Sequence, residues 1–178
     1  KDGLAEKVIA LEKEYGRTPN LVVVLIGDDP GSVSYVTGKA KAATEVGIRN
    51  STLRYPDTIT EDELLALIDK LNGDDDVDGI LVQLPLPKHI NEQKVIAAIK
   101  PEKDVDSFHP VNVANLWLKL PGFKPCTPKG IIKLLESAGV EIEGKEAVVV
   151  GRSKTLSGEF VDKEGRKMTE GYATSFIK

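Results

Sequence analysis

The sequence predicts an α/β protein with a largely parallel sheet, and three observations support this. Candidate strands alternate with candidate helices along the chain. The clearest strand, Leu21–Ile26, is an unbroken apolar run, which is typical of a parallel strand covered on both faces. Of the 178 residues, 40% are hydrophobic and 29% are charged, which is ordinary globular usage and enough for a packed core.

The first elements follow in chain order. Lys1–Tyr15 carries apolar residues at helical spacing. After the strand Leu21–Ile26, Ser32 is expected to cap a helix that ends at Gly47. Ser51–Tyr55 is predicted to be the second strand.

The middle of the chain repeats this alternation. Thr60 and Glu63 have the spacing of a capping box, and the helix that they begin is expected to end at Gly73. Gly79–Leu84 is predicted to be the third strand, and Asn91–Ile99 a further helix.

The later elements are a loop, two helices and a strand. Pro101–Pro110 is predicted to be the loop and Asn112–Lys119 a short helix. Thr127 is expected to cap a helix that ends at Gly139. Glu146–Val150 is predicted to be the fourth strand.

A join containing proline and glycine, Lys119–Pro125, is the best candidate for a domain boundary. It predicts a first domain over residues 1–122 and the start of a second over 123–178. Too few residues follow Val150 to complete a doubly wound nucleotide domain, which needs two βαβαβ halves. Residues 155–178 have little periodicity, although Phe160-Val161 and Gly165 could form a small hairpin.

Composition excludes several classes of function. The net charge of −4 gives no electrostatic reason to bind nucleic acid or anionic lipid, and no apolar run is long enough to span a membrane. A single cysteine, Cys126, excludes an internal disulfide and a cysteine-based metal cluster, and two histidines are too few for a histidine-rich metal site. A cytoplasmic, metal-independent protein is expected.

Tyr35 and Lys39 are four residues apart on a predicted helix and therefore share one face. A lysine can act as a general base where its surroundings favour the neutral amine, and a neighbouring ring can stack on a flat ligand. The same pair also occurs by chance, as an exposed lysine beside a half-buried tyrosine.

Polar and rigid residues follow the third predicted strand. Gln83 lies at its carboxyl end, where active-site groups of open α/β sheets gather. Leu84 and Pro85 begin a segment that could wall an apolar slot or form a structural turn.

Asp104 and Asp106 lie in the predicted loop. A carboxylate can accept two parallel hydrogen bonds from an amino-pyrimidine edge, although loop acids are most often solvated caps. Gly151-Arg152-Ser153 follows the fourth strand, where a nucleotide phosphate could meet backbone N–H groups and Arg152 could pair with a 2′-phosphate.

Five segments, taken in this order and spacing, closely resemble the bifunctional methylenetetrahydrofolate dehydrogenase/methenyltetrahydrofolate cyclohydrolase family. The resemblance covers about Lys1 to Lys154. The segments are Ser34–Lys39, Asp78–Pro87, Pro101–Asp106, Pro125–Gly130 and Val148–Ser153.

The resemblance implies a catalytic α/β domain followed by a Rossmann domain that binds NADP or, less often, NAD. It implies two steps of one-carbon folate metabolism that serve purine biosynthesis. Hydride passes from 5,10-methylenetetrahydrofolate to NADP, and water then opens the methenyl compound to 10-formyltetrahydrofolate. It also implies a homodimer formed through the nucleotide domain.

The resemblance assigns roles to individual residues. Lys39 would manage protons during hydration and ring opening, and Gln83 would hydrogen-bond to Lys39. Tyr35 would stack on the folate, and Asp106 would anchor the pterin. The substrate site would also include Leu84 and Pro85, and Thr127, Gly151, Arg152 and Ser153 would approach the dinucleotide.

The sequence departs from the family pattern at a few positions. Ser107 stands where the family usually has glycine, and Ala114-Asn115 replaces a frequent Gly-Arg. After Lys154 the likeness is lost. Two alternatives follow, a cyclohydrolase without dehydrogenase activity and a folate-binding module without catalysis.

Overall fold

The computed structural model describes residues 2–142, 158–161 and 167–173. The chain divides into two units, Lys1–Phe123 and Lys124–Lys178. The division lies inside the Lys119–Pro125 join, one residue beyond the predicted end of the first domain.

A three-stranded parallel sheet organises the first unit. Its strands are β1 (Asn20–Ile26), β2 (Arg49–Tyr55) and β3 (Gly79–Val82), in the order β2-β1-β3. Val22 of β1 lies opposite residues of both neighbouring strands. The predicted α/β class with a parallel sheet is confirmed.

The two faces of β1 contribute to two separate clusters of the core. Val22, Val24 and Ile26 belong to one cluster, whereas Val23 and Leu25 belong to the other. All five are buried. The unbroken apolar run therefore satisfies both faces of a central strand, because side chains alternate between faces along a strand.

Helices cover both faces of the sheet. The helices of the first unit are α1 (Asp2–Tyr15), α2 (Pro30–Glu45), α3 (Glu61–Gly73), α4 (Glu92–Ala98) and α5 (Pro110–Trp117). Val36 of α2 joins the Val23 cluster, and Leu64 of α3 and Val95 of α4 join the Val24 cluster. No helix among the described residues is long and apolar enough to cross a membrane.

Local signals placed several helix ends as predicted. Thr60 and Glu63 form the expected capping box, in which each side chain accepts from the other residue's backbone N–H. Asn91 caps α4 through its side chain. Gly47 follows α2 with a φ of 84°, a conformation that glycine adopts without steric cost.

Three predicted boundaries are corrected. Asp29, not Ser32, caps α2; Ser32 lies buried in the first turn and donates its backbone N–H to the Asp29 carboxylate. The strand β3 ends at Val82 and not at Leu84 as predicted. The helix α5 begins at Pro110, two residues earlier than expected, because His109 acts as its cap.

The second unit contains α6 (Cys126–Ser137) and an antiparallel pair, β4 (Gly158–Val161) and β5 (Lys167–Ala173). Thr127 was expected to cap α6, but it lies within the first turn, and Pro125 at the cap makes no side-chain hydrogen bond. Gly139 follows the helix with a φ of 71°. The predicted strand Glu146–Val150 lies outside the described residues.

Charged side chains fasten the amino edge of the sheet. The guanidinium of Arg49 lies 2.6 Å from the carboxylate of Asp76, and that of Arg17 lies 2.8 Å from Asp78. Asn20 donates its backbone N–H to Asp78 and its side-chain amide to the Asp76 carbonyl. These bonds join the start of β1 to the turn before β3.

Acid should weaken the fold through this edge. The Arg49 hydrogen bond holds the pKa of the Asp76 carboxyl below its ordinary value. A carboxyl whose pKa is lower in the folded state stabilises that state above its unfolded pKa and loses this effect as the pH falls. We expect the free energy of unfolding, measured with urea, to decrease between about pH 5 and pH 3.

Asp76→Asn is the matched variant for this experiment. It should be less stable than the natural chain at neutral pH, and the difference should shrink as the pH falls, because protonation removes the same charge from Asp76. A difference that stays constant with pH would contradict the assignment.

Candidate active site

The carboxyl ends of the parallel strands define one edge of the sheet, where open α/β sheets place their sites. Beyond β1, the helix α2 carries Tyr35 and Lys39. Its first turn is held by Asp29, and the hydrogen bond from the Ser32 backbone lowers the pKa of the Asp29 carboxyl. Beyond β3 lies Gln83.

Lys39 lies at the centre of the group. Its Nζ lies 4.5 Å from the centroid of the Tyr35 ring and 3.7 Å from Oδ2 of Asp106. The Lys39 and Asp106 side chains are 23% and 22% exposed. The structure thus brings together three of the predicted residues, and both contacts are of the kind that an ammonium group makes.

An open depression of about 520 Å³ lies along α2. Its lining includes two predicted residues, Tyr35 and Lys39, together with Gly31, Ser34 and Gly38. The last three were missed from the sequence. Their spacing could have indicated them, because residues three or four apart share a helix face.

A β-carbon at Gly38 would meet no atom within 4 Å. The missing side chain therefore leaves open space beside Lys39. Glycine inside a helix costs about 1 kcal/mol relative to alanine. The open space that glycine leaves in the depression is a physical reason for its presence at this position despite that cost.

Gln83 does not make the predicted hydrogen bond to Lys39. Its Nε2 donates to the Leu84 carbonyl at 2.7 Å, and its Oε1 is buried without a partner. Since a lysine ammonium can only donate, a bond between that group and Gln83 would need this oxygen. The buried acceptor lies just beyond β3, and the Gln83 backbone N–H still donates to Val24.

Leu84 and Pro85 do not belong to the lining of the depression. Leu84 is partly buried and packs against the main core cluster, and Pro85 is exposed. The peptide bond between them is cis. Their predicted part in the substrate site stays a prediction.

The loop that carries Asp106 is attached to β3. Asp104 forms an isolated parallel bridge with Ile80, and the Ile80 N–H donates to Lys103 at 2.7 Å. The loop runs in the direction of the strand, so Asp106 lies further toward the carboxyl edge. Val105 packs closely over Gly79, which has no side chain to block it.

Asp104 is not a solvated cap. It is 2% exposed, and its Oδ2 accepts from the backbone of His109 at 2.8 Å and from the amide of Asn112 at 3.0 Å. His109 has a structural role here as well, since its Nδ1 accepts from the Val111 backbone N–H and caps α5. Sequence reasoning missed Asn112.

Ser107 has a φ of 60° and is fully buried. A positive φ is uncommon for a residue with a side chain. Its hydroxyl donates to the Phe123 carbonyl at 2.9 Å, a bond that glycine could not make. This bond offsets part of the backbone cost of the positive φ at a position where the resemblance described above predicts glycine.

The predicted dinucleotide residues are described only in part. Thr127 is exposed in the first turn of α6, whereas Gly151, Arg152 and Ser153 lie outside the described residues. Cys126, the first residue of α6, is exposed. Within the described ranges, no three His, Cys, Asp or Glu side chains are grouped to hold a metal ion.

Two family models match the chain. The catalytic-domain model of tetrahydrofolate dehydrogenase/cyclohydrolase matches residues 1–106. The NAD(P)-binding-domain model of the same family matches residues 125–162, so the likeness continues past Lys154.

Curated and solved relatives agree with these matches. The bifunctional protein FolD of Geobacillus thermodenitrificans is 57% identical over 153 residues, which span 86% of this chain and 54% of the relative. The bifunctional enzyme FolD of Campylobacter jejuni has a TM-score of 0.80 at 50% identity, covering 85% of this chain and 54% of that one.

A third relative was solved with ligands. The dehydrogenase-cyclohydrolase of Trypanosoma brucei, complexed with NADP cofactor and inhibitor, has a TM-score of 0.80 at 40% identity, covering 85% of this chain and 52% of that one. The present chain thus spans about half the length of the curated relatives that it matches.

Gly79→Ala should disturb the loop that carries Asp106. A β-carbon at Gly79 would lie 2.5 Å from Cγ1 of Val105, so strand and loop must separate. We expect a loss of about 1–3 kcal/mol in the free energy of unfolding, measured with urea.

Gly73→Ala is the matched control. A β-carbon there meets nothing within 4 Å, and Gly73 lies in the last turn of α3. It should stabilise the chain by about 0.5–1 kcal/mol. Equal effects of the two substitutions would show that the contact with Val105 is not a close one.

Proposed function

Because the chain belongs to the tetrahydrofolate dehydrogenase/cyclohydrolase family, we propose that it works in one-carbon folate metabolism. The proposed reactions are the NADP-dependent oxidation of 5,10-methylenetetrahydrofolate and the hydrolysis of the methenyl product to 10-formyltetrahydrofolate. The observation that carries the proposal is the position of Lys39, between the Tyr35 ring and the Asp106 carboxylate.

The substrate would bind along α2. Tyr35 is 55% exposed beside the depression, so its ring is available to stack on a flat pterin or aminobenzoyl group. Asp106 would accept two parallel hydrogen bonds from the amino-pyrimidine edge of the pterin. Both contacts hold the reacting carbon near Lys39.

Lys39 would move protons during hydrolysis. Water adds to the methenyl carbon, and the Lys39 amine takes the proton that the water loses. When the carbon–nitrogen bond then breaks, the resulting ammonium gives that proton to the leaving ring nitrogen, and the hydroxyl proton of the adduct passes to solvent as the formyl C=O forms. One group in contact with both positions can serve as base and then as acid.

The geometry also suggests how Lys39 changes partners. Without substrate, its ammonium faces Asp106 at 3.7 Å. A pterin that occupies Asp106 removes this partner and leaves Nζ facing the substrate. The buried, unpaired Oε1 of Gln83 is the acceptor that would then hold Lys39, as predicted for this residue.

The dehydrogenase step needs the second unit. The NAD(P)-binding match over residues 125–162 and the Trypanosoma brucei relative complexed with NADP support NADP as cofactor. When bound, NADP accepts the hydride. Thr127 presents an exposed hydroxyl, and the segment Gly151–Ser153 would supply backbone N–H groups and a guanidinium to its phosphates.

Two narrower functions make different predictions. A cyclohydrolase without dehydrogenase activity would hydrolyse the methenyl compound but not reduce NADP. A folate-binding module would do neither. The complete set of Tyr35, Lys39, Gln83 and Asp106 argues against a binding module, which has no need of an acid/base lysine. The NAD(P)-binding match over residues 125–162 favours the bifunctional enzyme over a cyclohydrolase alone.

The proposal extends to three finer points. We place the protein in the cytoplasm, where a single cysteine stays reduced. We expect a homodimer, as the family resemblance implies. We also expect its formyl product to supply purine biosynthesis.

Lys39→Met should abolish hydrolysis. Methionine keeps much of the length of lysine but can neither accept nor donate the proton. We expect methenyltetrahydrofolate turnover, followed by absorbance, to decrease at least about 100-fold, which is the usual scale of general acid–base catalysis.

Lys41→Met is the matched control, since Lys41 is an exposed lysine on the same helix. It should leave turnover unchanged. If Lys39→Met retained full turnover, the role proposed for Lys39 would be wrong. NADP reduction, measured in the same samples, separates the bifunctional enzyme from a cyclohydrolase alone.

Tyr35→Ala should weaken substrate binding. It removes the stacking ring and one of the two groups that hold Lys39. We expect the KM for the folate substrate to rise about tenfold, within the range of aromatic stacking on flat bases.

Tyr15→Ala provides the comparison, because Tyr15 is 66% exposed at the end of α1 and is not part of the depression. Its KM should match that of the natural chain. An equal change in both variants would rule out specific stacking on Tyr35.

A further inference from the structure

We propose that Asp104 and Asn112 are positioning residues that hold Asp106 in reach of Lys39. The inference rests on the proposed function, because it is read out through folate binding at Asp106. Neither side chain is placed in contact with the substrate. Both act through the loop that carries Asp106.

Asp104 closes this loop into a ring around Asp106. Its side chain accepts from the His109 backbone at 2.8 Å, and its own carbonyl accepts from the Ser107 backbone at 3.2 Å. Asp106 is one of the residues of this ring, the segment between Asp104 and His109 that their hydrogen bond closes. Few backbone conformations remain open to a segment that is tied at both ends.

Asn112 ties the ring to the rest of the first unit. Its Nδ2 donates to Asp104 at 3.0 Å and to the Pro101 carbonyl at 2.8 Å. It is 3% exposed and lies in the first turn of α5. The same amide therefore connects the helix after the loop with the start of the loop.

The parallel bridge between Asp104 and Ile80 is a further attachment of the ring. It fixes the ring against β3, whose continuation carries Gln83. The Lys39–Asp106 distance of 3.7 Å is thus set by two rigid elements, α2 on one side and β3 with its attached ring on the other.

The chemistry of Asp104 favours a positioning role over simple loop closure. A buried carboxylate is costly unless its hydrogen bonds are well formed. Both of its donors, however, meet the same oxygen, Oδ2. Such convergence holds the His109 backbone and the Asn112 side chain at a defined position relative to Asp104, and a site that orients a ligand requires such support.

The chain offers a matched control in Asn72. This second buried asparagine is 8% exposed, donates to the Ala98 carbonyl at 2.7 Å and accepts from the Lys100 backbone at 2.9 Å. It secures the helix end before the loop but makes no bond to the ring. Loss of either amide removes two buried hydrogen bonds.

The test measures tetrahydrofolate binding by isothermal titration calorimetry, without cofactor, in the full chain. Asn112→Ala should raise the Kd about tenfold, as loss of a supporting partner does at other sites. Asn72→Ala should leave the Kd within about twofold of the natural chain, although urea shows a similar loss of stability. Asn112→Ser replaces Asn112→Ala if the latter does not fold.

Asp104→Asn separates shape from charge. Its amide oxygen can take the place of Oδ2 and accept both hydrogen bonds, so the Kd should stay within about threefold of the natural value. A tenfold or larger loss would mean that the charge of Asp104 acts on the ligand directly, and would overturn the positioning role.

A double-mutant cycle shows whether the effect passes through Asp106. Asp106→Asn keeps one acceptor, so binding stays measurable. In that background Asn112→Ala should change the Kd less than about twofold. Asn112 is proposed to act by positioning the Asp106 carboxylate, and Asp106→Asn has already removed that carboxylate. A full tenfold effect there, or equal effects of Asn112→Ala and Asn72→Ala, would overturn the inference.

Failure of the proposed function looks different. If the natural chain does not bind tetrahydrofolate, the folate site itself is wrong, and the positioning role falls with it. If the natural chain binds and only the comparison of variants fails, the proposed function stands and the positioning role alone is rejected.

Discussion

Burial of β1 on both faces is the constraint on which the first unit depends. Its side chains alternate between two core clusters, so neither face can meet water. Parallel neighbours on both edges and helices on both faces satisfy this requirement. In a parallel sheet the chain leaves each strand at the same edge, and α2 and Gln83 therefore follow β1 and β3 at one edge although they are distant in sequence.

The candidate site depends on a second attachment, between β3 and the loop that follows α4. Gly79 leaves room for Val105, and the bridge from Ile80 aligns Asp104 with the strand. Asp106 then lies 3.7 Å from Lys39. Backbone pairing with β3 and the absence of a side chain at Gly79 thus set the distance between Lys39 and Asp106. The proposed chemistry assigns proton transfer to Lys39 and pterin binding to Asp106.

The two edges of the sheet use charge differently. At the amino edge, Arg49 and Asp76 form an exposed ion pair with a short distance of 2.6 Å, which joins a strand to a turn. At the carboxyl edge, Lys39 and Asp106 are less exposed and further apart, with a ring beside the ammonium. The longer Lys39–Asp106 pair lies beside an open depression, where either residue can exchange the other for a ligand. The shorter Arg49–Asp76 pair stabilises the fold.

The sequence by itself determined the α/β class, the order of the elements and the helix face shared by Tyr35 and Lys39, because periodicity and caps act within a few residues. It misplaced a cap where Asp29 and Ser32 lie in one turn, since the side chain of either residue type can accept from backbone N–H groups two or three residues further on. Only the tertiary structure decided that Asp104 is buried, that Asn112 holds it and that Gln83 Oε1 has no partner. Those facts depend on how the loop folds back and pairs with β3 through Ile80, which no periodic pattern or cap in the sequence encodes.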